Sequence, residues 1–532
     1  MTARTLLRGG LVADGIGTAT VRADLLIEGE LIEWIGPDAS AVGATAENCE
    51  VIELEPGSVV LPGFIDAHVH AEGPLLADGV AEGALAQGVT TLVVGQDGES
   101  WIGANAATVR YLNQYFGPVN GRLEAARDFS VSDFREAVSG RLVQNVAVLA
   151  SQGTIRHNIA GLATRPLDRE QLAAARRQVE QALADGAAGL SSGLDYLPSR
   201  FGSVSEIAEI ARPLAEAGRP YVSHLRAYGA GVGAGLGELV AVGREAGVRV
   251  HASHLWGAPG DIQAAFDAAD AAGVPVTFDM YPYRKSSTIL AVLLLPPDVQ
   301  FQGPEHTVAV LRDPVERGVL LAGEKFAAES LGNLYLGCLP ERYGQYAGMS
   351  VTEAAGRSSR HPGEWVLDLL ADTGLNAGAH LDRPELADEH LDWLAGHQRF
   401  SAGSDGIYQG QHPHPRGYGS FARLAGYYLS RSPDTAYQRI GRRLAANAAD
   451  IYGISGRGRL AAGMAADICV IGPGGLSERA SYDAPELTAT GLVAVLVNGA
   501  TAWRNDKSPG NEQPGGTNGR RQNVNARGRF LA

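Results

Sequence analysis

The 532-residue chain is poor in cysteine, lysine and long apolar runs. Cys49, Cys338 and Cys469 are odd in number, far apart and outside any CxxC pair, which argues against a disulfide framework and fits a reducing compartment. The longest apolar run, Ile289 to Leu295, falls far short of the ~20 residues a spanning helix needs. The N-terminal MTARTLLRGGLVADGIG lacks the apolar core of a signal peptide. The expected location is therefore cytoplasmic, without a membrane partner. Cationic charge is also scarce. Lys+Arg total 44 against 59 Asp+Glu, a net charge of −15, so no broad basic surface is expected for nucleic acid or anionic lipid. Only Lys285, Lys325 and Lys507 supply ammonium groups, which gives weight to any lysine near a site.

What remains is an ordinary globular composition, 45% hydrophobic, in a chain long enough for a large α/β barrel and a satellite domain. Residues 1–58 read as short strands separated by Gly9-Gly10, Asp14-Gly15 and Gly29, the punctuation of hairpins. From residue 59 strand-like runs alternate with Ala-rich helical stretches, the pattern of βα units on a parallel sheet. The runs are 59–66, 89–95, 145–151, 187–192, 220–224, 247–253, 274–280 and 399–404. They predict a (β/α)8 TIM barrel over 59–452, with a helical insertion at about 281–398 overhanging its mouth. A helix is expected at about 432–450. Short alternating segments in 453–505 are expected to rejoin 1–58 in a small β-rich domain built from both termini. Residues 506–532, rich in Pro, Gly, Asn, Gln and Arg, read as a flexible tail.

In such a barrel the site lies at the C-terminal ends of the strands. Those ends carry His68 and His70, Asp97, His224, His254, Asp279 and Asp405. His68 and His70 are separated by one residue, so strand alternation turns both the same way, and paired imidazoles suit a divalent metal. Any one of these residues has an ordinary structural reading, such as a hydrogen-bonded histidine or a turn aspartate. Their recurrence at successive strand ends points to a metal site. His251 has the opposite parity from His254 and is expected outside that site.

The segments PGFIDAHVH, VTTLVVG, GTIR (153–156), SSGLDYLPSR, YVSHLR, SHLWGAPG, DMYPY, GSDG, HPHPRGYGSF and GRGRLAAGMAADICVI resemble the N-acyl-D-amino-acid deacylase (D-aminoacylase) family of the amidohydrolase superfamily, from residue 61 to about 470. The resemblance implies a metal cluster on His68, His70, His224 and His254, with Asp405 as catalytic general base. It also implies that Tyr283 and Arg416 hold the substrate carboxylate and that Tyr196 lines the pocket. Two departures stand out. Gln96-Asp97-Gly98 replaces the family's Asn-Cys-Gly, so a carboxylate stands where a thiolate ligates. Zinc, as one or two ions, remains the expected cofactor, with manganese or cobalt easier to accept at an oxygen ligand. Trp256 replaces a lysine that contacts substrate, leaving an apolar or cation–π wall. Lys285, just after Tyr283, is a candidate relocated anion contact.

The implied activity is metal-dependent hydrolysis of an N-acyl amino acid, of the D series, with metal-activated water as nucleophile and Asp405 as base. Two alternatives stay open. One is a cyclic-amide hydrolase of the hydantoinase or dihydroorotase type, which generally needs a carboxylated lysine absent from 187–196. The other is an inactive barrel serving as a binding or scaffold subunit. The expected partner is a small-molecule substrate, and the sequence leaves a homo-oligomer open.

Overall fold

The computed structural model describes residues 4–17, 19–505, 519–521 and 527–532. Eight short parallel strands alternate with helices: Phe64–Asp66 (β1), Val89–Val94 (β2), Asn145–Val148, resumed at Ala150–Ser151 (β3), Leu190–Gly193 (β4), Tyr221–His224 (β5), Val250–Ala252 (β6), Val276–Met280 (β7) and Phe400–Ala402 (β8). Every residue of β2 is buried, as expected for a parallel strand covered on both faces. β1, β2 and β3 pair in that order. The second part of β3 continues through β4, β5, β6 and β7 to β8. Backbone bonds span the two breaks: Ala188 N donates to Val148 O at 2.8 Å, and Ala67 N to Ala402 O at 3.1 Å. Just beyond, Gly406–Ile407 pairs in parallel with Val69–His70.

The run expected as one first strand is divided. Val59–Pro62 pairs with Ile468–Ile471 and with Leu11 and Val12, and only Phe64–Asp66 joins β2. The chain changes sheets at Pro62-Gly63, where proline has no N–H for a further ladder bond. A Cβ on Gly63 would lie 2.3 Å from Thr90 Cγ2, so the close crossing admits only glycine. Val59–Pro62 belongs to a nine-stranded sheet containing segments from both chain ends, Arg4–Val12, Val21–Glu28 and Leu31–Gly36 on one side and Leu492–Val497 and Ala500–Asn505 on the other.

Three other expectations differ. The insertion between β7 and β8 is not purely helical. Ser286–Ile289, Leu334–Cys338 and Gly378–Leu381 form a three-stranded antiparallel sheet within it, too short and glycine-bearing to stand out as strands in sequence. The helix after β8 begins earlier, at Arg416–Arg431. Its opening Arg-Gly-Tyr-Gly conceals it, because glycine there serves close packing: a Cβ on Gly419 would lie 2.3 Å from the Tyr283 hydroxyl. The expected 432–450 helix is Ala436–Gly441, a wide turn at Arg442–Ala446, and Asn447–Tyr452. Of the expected loose tail, Arg529 O accepts from Val146 N and Leu531 N donates to Val146 O, both at 2.8 Å, and Phe530 packs on the core. Gly519–Arg521 pairs with Ala500–Asn505. Residues 506–518 and 522–526 lie outside the described residues.

Asp467 fastens the terminal sheet to the parallel strands. It is buried and ion-paired to buried Arg457. Its carboxylate also accepts from Asn145 Nδ2 on β3 at 2.9 Å and from Asn498 N at 2.8 Å. Removing one member strands a buried guanidinium and two amide donors. Asp467→Ala should therefore cost about 3–5 kcal/mol in chemical denaturation. A loss below about 1 kcal/mol, the scale of an exposed pair, would show that this junction does not hold the sheets together.

Candidate metal centre

Beyond β1 the chain turns His68 and His70 into the space above the parallel strands. Asp97 follows β2 in a short 3-10 turn, His224 ends β5, His254 follows β6 and Asp405 follows β8. One ligand atom from each of His68, His70, Asp97 and Asp405 falls within a 4.8 Å span, and so does one from each of Asp97, His224 and His254. Asp97 is common to both sets. Its Oδ1 lies 3.5 Å from His68 Nε2 and 3.6 Å from His254 Nε2, and its Oδ2 3.6 Å from His70 Nε2 and 3.7 Å from His224 Nδ1. Asp405 Oδ1 lies 3.4 Å from His70 Nε2 and 3.6 Å from His68 Nε2.

These spacings fit a metal. Two donors about 2.1 Å from one tetrahedral ion stand about 3.4 Å apart. The contacts of Asp97 and Asp405 are longer than hydrogen bonds, which stand near 2.9 Å, while His224 Nδ1 and His254 Nε2 are 3.0 Å apart. His68 Nε2 and Asp97 Oδ1 are buried with no hydrogen-bond partner, a costly arrangement for polar atoms unless a cation completes it. His70 Nδ1 is 2.8 Å from Asn120 Oδ1, which leaves Nε2 turned to the cluster. Asp97, His254 and Asp405 hold φ of 57°, 33° and 49°. Left-handed backbone at three non-glycine positions around one point is the kind of strain that surrounding structure sustains at functional sites.

Asp279 and His251 lie behind the cluster. Asp279 Oδ1 accepts from His254 N at 2.9 Å, while Oδ2 is 2.9 Å from His251 Nε2 and 3.5 Å from His68 Nδ1. Asp66 Oδ1 accepts from Ser404 N at 2.8 Å and Oδ2 from Ser404 Oγ at 2.5 Å. This carboxyl ties the exit of β1 to that of β8 and so sets His68 against Asp405.

Charge reinforces the arrangement. Burial alone would raise the Asp97 carboxyl, but the charge of His68 and the adjacent imidazoles of His224, His254 and His70 outweigh it and hold Asp97 well below the carboxylate range. Burial opposes protonation of His70, yet Asp405 and Asp97 lift it to about 10. Asp405 is lowered against its burial, first by Arg416 and then by His70.

A cavity of about 370 Å³ opens above these groups, lined by Tyr196, Trp256 and Arg416 among others. The Tyr196 ring packs 4.8 Å from that of His224, and its hydroxyl is 2.8 Å from Thr288 Oγ1. Arg416 is buried at the start of its helix, with Nη1 2.7 Å from Asp405 Oδ2 and Nη2 donating to Ser287 O at 3.1 Å. Two expected substrate contacts lie elsewhere. Tyr283 N donates to Tyr281 O at 3.0 Å, a three-residue turn that breaks strand alternation. Tyr281 consequently lines the cavity, and the Tyr283 hydroxyl donates to Glu478 instead. Lys285 is outside the cavity, with Nζ 3.4 Å from the Tyr335 ring centroid and 4.6 Å from that of Tyr482. The cations that reach the cavity from the insertion are Lys325 and Arg383. Lysine scarcity was the one sequence signal for Lys325, and Arg383 had none.

A sequence model of the amidohydrolase family matches residues 59–279. The N-acyl-D-glutamate deacylase of Alcaligenes xylosoxydans xylosoxydans is 30% identical over 96% of this chain and 95% of its own. The chain belongs to the D-aminoacylase family of amidohydrolases. Among solved structures, this D-aminoacylase-family chain superposes on a crystal structure of D-aminoacylase with a TM-score of 0.79 at 27% identity, covering 99% of both chains. It also matches the N-acyl-D-glutamate deacylase of Bordetella bronchiseptica, complexed with zinc and a phosphonate inhibitor, with a TM-score of 0.77 at 26% identity over 94% of this chain and 97% of the other. The fold is accordingly consistent with a TIM-barrel α/β architecture, and the protein is a metal-dependent hydrolase of carbon–nitrogen bonds other than peptide bonds. No helix among the described residues is long and apolar enough to cross a membrane.

Ligating imidazole must be neutral, whereas His70 in the metal-free cluster keeps its proton up to a pH of about 10. Loading the metal-free protein at pH 8 should therefore release protons, and affinity should fall as pH is lowered. Calorimetric titration in two buffers of different ionisation enthalpy reads this directly. Identical heats in both would contradict the assignment of His70 as a ligand.

Proposed function

We propose that the protein removes the acyl group from N-acyl-D-amino acids. The parallel strands would form a closed (β/α)8 barrel from β1 to β8, and the nine-stranded sheet, which includes Val59–Pro62, a β-rich domain built from both ends of the chain. The observation that carries the reading is the placement of Asp405. One oxygen faces His68 and His70 at 3.6 and 3.4 Å, and the other faces Arg416 Nη1 at 2.7 Å. A single buried carboxylate thus joins the ligand cluster to a cationic group lining the same cavity.

His68, His70, Asp97, His224 and His254 are the residues that would hold zinc, as one or two ions, or manganese or cobalt in its place. The donor set contains imidazole and carboxylate but no thiolate, which suits each of these ions. When bound, the metal supplies Lewis acidity, lowering the pKa of water and polarising the amide carbonyl.

The protein groups do the remaining work. Asp405, ionised at neutral pH, takes a proton from the attacking water at Oδ1 and returns it to the leaving nitrogen, which cannot depart as an anion. Arg416, whose Nη1 faces Asp405 Oδ2 and whose Nε is buried without a hydrogen-bond partner, holds the α-carboxylate, for which a guanidinium offers parallel donors. Tyr196, already at hydrogen-bond distance from Thr288, directs its hydroxyl toward the substrate carbonyl. Trp256 forms a flat wall.

Chelation should abolish hydrolysis of N-acetyl-D-amino acids, and zinc, cobalt or manganese should restore it. Asp405→Asn should retain metal while lowering kcat by ~10²-fold to 10⁴-fold. Near-normal kcat in that variant would remove Asp405 from proton transfer.

A further inference from the structure

Arg383 lies just beyond Gly378–Leu381 in the insertion and lines the same cavity as the ligand cluster. Only 6% of it is exposed. Its Nε donates to Arg284 O at 3.0 Å, and Nη2 to the Tyr281 hydroxyl at 3.0 Å. The guanidinium carbon stands 4.7 Å from the Trp256 ring centroid. Backbone, hydroxyl and indole thus fix its direction, as a preformed binding group requires.

The surroundings of Arg383 lack a counter-charge. Among the described residues no carboxylate lies within 4.0 Å of it, and it rests against neutral oxygens and ring faces. A buried cation without a counter-charge is destabilising. Arg416, by contrast, already faces Asp405. The two guanidiniums meet different ends of one ring. Arg416 sits over the Tyr281 face, its guanidinium carbon 4.6 Å from the centroid, while Arg383 bonds the hydroxyl end, 5.8 Å from that centroid. One carboxylate engaged by Arg416 therefore leaves Arg383 unanswered.

We propose that Arg383 determines specificity by holding a second anionic group, on the substrate's side chain, in the angle between Trp256 and Tyr281. The preferred substrates are then N-acyl amino acids with acidic side chains rather than their uncharged isosteres. This inference rests on the deacylase reading, so binding and turnover are measured separately.

The full-length, zinc-loaded protein is titrated calorimetrically with D-glutamate and with D-glutamine, and kcat/KM is measured for the two N-acetyl derivatives. D-Glutamate should bind about tenfold to a hundredfold more tightly, the worth of a charge-assisted hydrogen bond. Arg383→Met should erase that preference in both binding and kcat/KM. Arg383→Gln, which keeps a donor for Arg284 O and Tyr281 but not the charge, should erase it too, and guards against a folding defect in the first variant. Equal affinities in the wild type, or equal losses for both ligands in the variants, overturn the proposal. Turnover of both N-acetyl compounds without such discrimination leaves the deacylase reading intact and removes Arg383. A binding preference without turnover of either compound does the reverse.

Discussion

One carboxylate among four imidazoles sets the terms for the rest of this structure. Asp97 lies within 3.5–3.7 Å of ring nitrogens from His68, His70, His224 and His254, too far for strong hydrogen bonds and well spaced for shared metal coordination. A cluster of this kind, removed from water, is stable only when its charges are matched and its donors fixed in direction. The parallel strands supply the convergence. Asp279 braces His68, His254 and His251 from behind, and Asp66 joins the exits of β1 and β8 through Ser404.

The same requirement explains the backbone at the site. Asp97, His254 and Asp405 leave their strands through left-handed conformations that non-glycine residues adopt at a cost of ~1–3 kcal/mol each. The turn at Gln96-Asp97-Gly98 is held from outside: Gln96 Nε2 donates to Ala67 O at 2.9 Å, and Gly98 N to Ser191 Oγ at 3.0 Å. Neighbouring strands thereby fix the direction of the Asp97 carboxylate. The insertion and the Arg416–Arg431 helix then roof the cluster and bring cations toward it.

The convergence of these strand ends was legible because two simple rules govern them. A parallel buried strand reads as a short apolar run, and its last residues face the mouth. That located His68, His70, Asp97, His224, His254 and Asp405 and separated His251 from His254. Legibility ended where local geometry departs from strand periodicity. Pro62-Gly63 splits one apolar run between two sheets, a division that hydrophobicity does not record. The Tyr281–Tyr283 turn exchanges which tyrosine enters the cavity. Lys285 enters an aromatic enclosure made by residues distant in sequence, Tyr335 and Tyr482. Arg383 reaches the cavity through a small insertion sheet whose strands carry no alternating signature, so its position depends on tertiary pairing alone.

On the proposed assignment, imidazoles and carboxylates at the strand ends hold one catalytic metal centre without sulfur. X-ray absorption at the zinc edge of the loaded protein tests it most directly. The expected spectrum shows a shell of nitrogen and oxygen at ~2.0–2.2 Å with the outer scattering of several imidazoles. A sulfur at ~2.3 Å, or a shell lacking imidazole, would place the metal elsewhere and contradict it.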